Sequence, residues 1–219
     1  MSLMENLKNP PRTMIALYGE REAKNVVKRC YEVNDFFGEW VCSKIYNELW
    51  ELEPLSMLEK SLVTVVSLAI LGKEEQLTIH FKGILNLGKS ISFIETIINF
   101  LKKENFIPSE EKILNLIKNI FKITEISSEQ DKLNFFPKEM LTNRDKIMIC
   151  TAAYAAIGNN INTKIFLKEI FLNNQLSEKE ISGIFLHIMT YCGCPATMNA
   201  CSIFNNILTQ RATKTLACL

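Results

Sequence analysis

Apolar residues recur every three or four positions along most of this 219-residue chain, and its 8 glycines and 6 prolines fall mostly between the segments that carry the pattern. That period marks amphipathic helices. No run of alternating apolar and polar residues bounded by turn dipeptides interrupts it, so an all-α protein is expected. Two helices, Arg12 to Cys30 and Asp35 to Trp50, each with charge on one face, read as an N-terminal arm. The opening Met-Ser-Leu is set aside as an added remnant, because a second methionine follows at position 4. A far more apolar helix runs from Leu55 to Leu71, with Ser56 as N-cap, Glu59 at the capping-box spacing and Gly72 to end it. Helices over 74–87, 92–104 and 109–123 follow, with Gly88 and Pro108 as punctuation, and the polar stretch 124–140 reads as a connector.

The chain also repeats itself. LSMLEKSLVTVVSLAILG at 55–72 aligns without gaps on LTNRDKIMICTAAYAAIG at 141–158, an offset of 86 taken from Leu55 and Leu141. Each reads Leu, then Ser or Thr, an acid-plus-lysine pair (Glu59-Lys60, Asp145-Lys146), an apolar run and Ile or Leu before a terminal glycine. The register persists, and Pro108 meets Pro195 after one extra residue. The expected organisation is therefore an arm plus first unit over 1–123, the connector 124–140, and a second unit over 141–219, about ten helices in all.

Composition narrows the functions available. Lys and Arg total 25 against 24 Asp and Glu, so no net field exists to draw nucleic acid or an anionic membrane. Apolar runs such as Ser61 to Leu71 are too short to span a bilayer. Seven scattered cysteines, an odd number with no export segment ahead of them, point to reduced thiols in a cytoplasmic protein. The Cys192-x-Cys194 pair lacks the second paired cluster of a structural zinc site, so no metal is expected.

The segment IYNELWELEPLSMLEKSLVTVVSLAILGKEEQLTIH at 45–80 resembles the core signature of the carboxymuconolactone decarboxylase family. Glu48 and Trp50 match its first element with Asn47 in place of Gly, Lys60 stands where that family has Arg, and His80 is kept with Gln76 replacing a Glu. HIMTYCGCPATMNA at 187–200 is similar to the family's other signature, with Tyr191, Gly193, Pro195 and Ala200 in place. The likeness covers most of residues 31–208, each unit preserving the half that the other has lost; Phe166 stands at the place equivalent to His80. It implies a fold of the carboxymuconolactone decarboxylase or alkyl hydroperoxidase D type, assembled as a homotrimer. The cysteines of the alkyl hydroperoxidase D branch would fall at Lys73 and Gln76, or at Asn159 and Asn162, so its dithiol chemistry is disfavoured.

The resemblance implies a cofactor-free decarboxylase or related lyase acting on a small carboxylated lactone or ring. Such a reaction needs a cation near the ring carbonyl and a proton donor of near-neutral pKa. Lys60 and His80 suit those two roles, with Glu48 orienting the histidine. His187, Tyr191 and Trp50 are the candidate substrate-binding residues, His187 and Tyr191 sharing a helix face at a spacing of four. The alternatives are a non-catalytic oligomeric or ligand-binding descendant, and a thiol-dependent protein built on Cys192 and Cys194.

Overall fold

The computed structural model describes residues 2–108, 110–127 and 140–217, and within them every regular element is a helix. α1 (Leu3–Lys8), α2 (Arg12–Tyr18), α3 (Glu20–Val33), α4 (Asp35–Trp40) and a π-helical continuation (Val41–Leu49) make the arm. α5 (Met57–Ile70), α6 (Glu74–Asn86), α7 (Ile91–Lys103) and α8 (Glu111–Ser127) follow, then α9 (Asn143–Ile157), α10 (Asn160–Leu172) and α11 (Glu178–Ala217). Most of the connector expected at 124–140 lies outside the described residues, and α8 carries the helix four residues past its expected end at Ile123.

The arm departs from the sequence reading in three places. The helix expected from Arg12 to Cys30 is broken at Gly19, whose φ of 76° lies where a side chain is strained, so α2 ends and α3 begins there. The helix expected from Asp35 to Trp50 widens to π geometry after Trp40, the Trp50 N–H reaching back to Ile45 O at 2.9 Å. Ser2 and Leu3, set aside on sequence, belong to the fold: the Ser2 hydroxyl accepts the Glu5 N–H and Leu3 packs on the arm.

Beyond the arm, two stretches follow one order of caps and turns. α5 starts in a capping box of Ser56 and Glu59, and α9 in one of Thr142 and Asp145. Left-handed Gly72 and Gly158 follow. α6 and α10 are each 13 residues long and begin 86 positions apart, at Glu74 and Asn160. Positive φ then recurs at Gly88 and Asn174, and again at Asn105 and Gly193. Gly193 (φ 80°, ψ 166°) kinks α11 two residues before Pro195, because neither helical φ nor the helical N–H is available across that step. Unbroken, the 40 residues of α11 would reach about 60 Å; folded at Gly193, they return Phe204 and Ile207 to the core. Among the described residues, 178–213 of this helix are long and apolar enough to cross a membrane by length and composition, beyond what the shorter apolar runs suggested.

α5 is the axis of the molecule. Every residue from Lys60 to Ala69 is buried, as expected for a helix apolar nearly all round, and it packs against α6, α9 and α11. One hydrophobic cluster runs through both stretches, from Leu55 to Ile207, while a second, from Met14 to Trp50, belongs to the arm. Arg144 ties three helix starts together, bonding Glu59 of the α5 capping box at 2.7 Å and Glu180 in the first turn of α11 at 2.5 Å.

The arm lies across α6. Gly83 lies against α2, where a Cβ would make ordinary contact with Leu17 Cδ2 at 3.5 Å, and Asn86 Nδ2 donates to Leu17 O at 2.7 Å. The corresponding face of α10 carries Ile161, Ile165 and Leu172, all exposed, with no arm over them.

Candidate functional site

Four elements converge where the arm meets α5, α6 and α11. α5 supplies Lys60 and Thr64, one turn apart; α6 supplies His80; α11 supplies His187 and Tyr191, also one turn apart; and the arm closes the space with Tyr18, Tyr46 and Trp50. The Trp50 ring stacks on His80 (6.2 Å between centroids, 7° between planes) and meets His187 edge-on at 4.7 Å. Tyr191 contacts both histidines, each at 5.6 Å. The two histidines of the chain thus share one aromatic enclosure.

Its polar atoms are incompletely matched. His187 Nε2 lies 2.9 Å from Thr64 Oγ1, Lys60 Nζ donates to Trp50 O at 2.7 Å, and the Tyr18 and Tyr46 hydroxyls are 2.9 Å apart. His80 Nδ1, His187 Nδ1 and Trp50 Nε1 are buried without a hydrogen bond. The indole N–H does lie beside the Tyr191 oxygen, which Thr64 also approaches, but completes no aligned bond to it. Three such atoms in one place are unusual, because each costs about 1–3 kcal/mol when left unpaired.

Burial governs the electrostatics. It pushes His80 down to about 3, and His187 also to about 3 with help from the Lys60 charge, so both imidazoles are neutral near pH 7. His80 is therefore not the near-neutral acid expected from the sequence. Tyr191 is pushed up to about 12, chiefly by burial, and stays protonated. Burial also lowers Lys60, against the pull of Glu51, Glu53 and Glu59. A crevice of about 20 Å³, lined by Leu52, Glu53, Leu55, Lys60, Gly183 and His187 among others, leads to the outside and has room for one water.

Of the residues picked from sequence, Lys60, His80, His187, Tyr191 and Trp50 come together here. Glu48 does not: its carboxylate is exposed, 2.5 Å from Lys44 one turn away on the same face, and it orients neither imidazole. Sequence reasoning missed Thr64, Tyr18 and Tyr46. Thr64 had a signal, standing four residues after Lys60 on a helix already recognised. The tyrosines had none, since the π register that presents Tyr46 leaves no trace in a 3.6-residue pattern.

The thiols offer little nucleophilic character. Burial raises Cys192, with Ser67 pulling the other way, and raises Cys201; the wider-spaced Cys42 and Cys150 go up to about 11 and about 12. Cys194 is exposed. Among the described residues no group of three His, Cys, Asp or Glu side chains is placed to hold a metal ion. Compared with protein-family models and with curated protein sequences, the chain finds no match.

Proposed function

We propose that the chain is a diverged, two-unit relative of the carboxymuconolactone decarboxylases, whose enclosed site binds a small carboxylated ring compound and releases carbon dioxide from it without a cofactor. The repeated order of caps, glycines and helix lengths supports the duplication. The observation that carries the functional reading is the cluster of buried, unpaired polar atoms beside Lys60, a cation with no carboxylate in ion-pair range among the described residues. A guest rich in hydrogen-bonding oxygen would satisfy them.

The chemistry assigns roles within that enclosure. As the bond to the carboxylate breaks, its electron pair moves into the conjugated ring carbonyl, and Lys60 offsets the charge gathering on that oxygen. The aromatic walls of Trp50 and Tyr191 hold the ring plane and exclude water. The Tyr191 phenol, protonated at neutral pH, supplies the proton that the ring carbon takes up, and recovers one from water after release. Carbon dioxide and a decarboxylated ring result, with no oxidant or reductant consumed. The bare face of α10 suits contact between copies, consistent with a trimer, and the free thiols among the described residues suit a cytoplasmic setting.

A second reading, a binding module that has kept the fold and lost turnover, draws on the size of the crevice. A ring needs more room than this crevice of about 20 Å³ offers. The test is carbon dioxide release together with thermal shift across carboxylated lactones, muconates and aromatic acids, comparing wild type with Lys60→Met and His187→Ala. Release that both variants abolish supports the enzyme. Stabilisation without release leaves the binding module, and neither effect removes both readings.

A further inference from the structure

The arm has an outer face as well as the inner one that covers α6. A Cβ on Gly38 would stand 2.3 Å from the Tyr31 ring, so α4 rests on α3 by its glycine side. The opposite side of α4 therefore turns outward, with Phe36 78% exposed, Trp40 and Phe37 also exposed, and Val33 extending the apolar surface at the end of α3. A hollow of about 520 Å³ opens beside this face, lined by Met4, Asp35 and Glu39 among others. From Tyr31 to Trp40 the chain carries three acids, Glu32, Asp35 and Glu39, and no base.

The second unit bears a stripe of the opposite charge. Ile161, Ile165, Lys168 and Leu172 follow one line along α10, and all four are exposed. Lys164 stands at one edge of the line and Glu169 at the other, and among the described residues neither lysine has an ion-pair partner. The duplication marks this line as one that is built to be covered. Ile79 and Asn86 lie 86 positions before Ile165 and Leu172, and both are under the arm, Ile79 packed on its core and Asn86 bonded to Leu17 O.

We infer that α10 of one copy is covered by the arm of a second copy, the aromatic outer face of α4 seating on the Ile161–Leu172 stripe. The inference takes the contact between copies drawn from the bare α10 face a step further, by naming the surface that meets it. Charge decides the pairing. Two copies of α4 brought together would set three acids against three, and two copies of α10 would bury Lys168 with no acid on either line except Glu169 at the edge. Joining α4 to α10 brings Lys164 and Lys168 toward Glu32 and Asp35 around a core of Phe36, Trp40 and the isoleucines. Such a contact is head to tail, so it closes into a ring or continues as a filament.

The test is a mixing experiment on the full chain, read as molar mass by light scattering. Phe36→Ser with Trp40→Ser removes one face, and Ile161→Glu with Ile165→Glu removes the other. Wild type should exceed the 25.1 kDa of one chain, each variant alone should run as a single chain, and their equimolar mixture should give a dimer through the one intact pair of faces. Assembly by the α4 variant alone means that α10 meets itself or another surface, and overturns the inference. So do assembly by the α10 variant alone, a mixture that stays monomeric, and a monomeric wild type, the last of which removes the contact between copies altogether. All four positions are exposed, so both variants should keep the wild-type circular dichroism. If one does not fold, charge reversal still decides: Lys168→Glu should weaken assembly on the order of tenfold and added Asp35→Lys should restore it, whereas no change on either step overturns the pairing. Molar mass is read without a substrate, so absent carbon dioxide release defeats the enzyme and leaves the contact standing.

Discussion

The two buried histidines make acid stability the most exacting test of the structure. Each is neutral in the fold with a pKa of about 3, while an unfolded histidine titrates near 6.5. Below pH 6.5 the unfolded chain therefore binds more protons than the folded one, and stability falls as pH falls, continuing until the folded groups protonate near pH 3. Where only the unfolded imidazoles are protonated, the slope is about 1.4 kcal/mol per pH unit for each, or about 3 kcal/mol per unit for the pair. Between pH 7 and pH 5 the integrated loss is about 2 kcal/mol per histidine and about 4 kcal/mol in total, a large share of the 5–15 kcal/mol typical of a folded domain. Glu59 and Glu180, whose capping and Arg144 bonds hold them below the usual carboxylate range, add their loss only lower, beneath about pH 4.5. The assay is urea unfolding at several pH values for wild type, His80→Gln, His187→Gln and the double variant. These are the only histidines in the chain, so the single variants should show half the slope and the double variant almost none in this window. A wild-type stability unchanged between pH 7 and pH 5, or a slope that survives in the double variant, refutes the burial on which the site description depends.

Other perturbations address the frame around the site. Gly193→Ala forces a side chain into a backbone region that is almost exclusive to glycine and should cost about 1–3 kcal/mol in urea unfolding, whereas its Cβ meets only Pro195 at 3.7 Å, so the cost is conformational and not a clash. Ser56→Ala and Thr142→Ala each remove a capping box and should cost about 1 kcal/mol, measured the same way. Gly83→Val pushes on Leu17 and should lift the arm, visible as faster proteolysis within residues 12–50 before global unfolding. Ile161→Glu with Ile165→Glu should lower the molar mass seen by light scattering if α10 joins copies; an unchanged mass removes that face from the assembly.

The sequence made some of this legible for identifiable reasons. Capping boxes and terminal glycines are local, so Ser56, Glu59 and Gly72 could be placed by spacing alone, and the offset of 86 emerged because both stretches use the same local signals. Lys60 and His80 were singled out through the family resemblance, and His187 through its place on an apolar helix one turn from Tyr191. Tertiary packing decided the rest. Glu48 shares a helix face with Lys44, and the exposed pair satisfies itself without reaching the core. Gly19 interrupts a pattern whose periodicity continues on both sides of it, so the break was visible only as a residue type. The π register has no hydrophobic signature of its own, and the enclosure it completes with Tyr46 and Trp50 could not be foreseen from spacing.

The enclosure has its walls in two different cores. Lys60, Thr64, His187 and Tyr191 stand on helices of the large cluster, whereas Tyr18, Tyr46 and Trp50 belong to the arm's own. Occupancy of the pocket and docking of the arm are consequently linked equilibria: a guest that contacts Trp50 holds the arm down by mass action, and an arm that frays dissolves half of the binding surface. Amide hydrogen exchange in α3, which supplies none of the named walls of the enclosure, would slow in proportion to occupancy, making that helix a reporter of a guest held elsewhere in the arm.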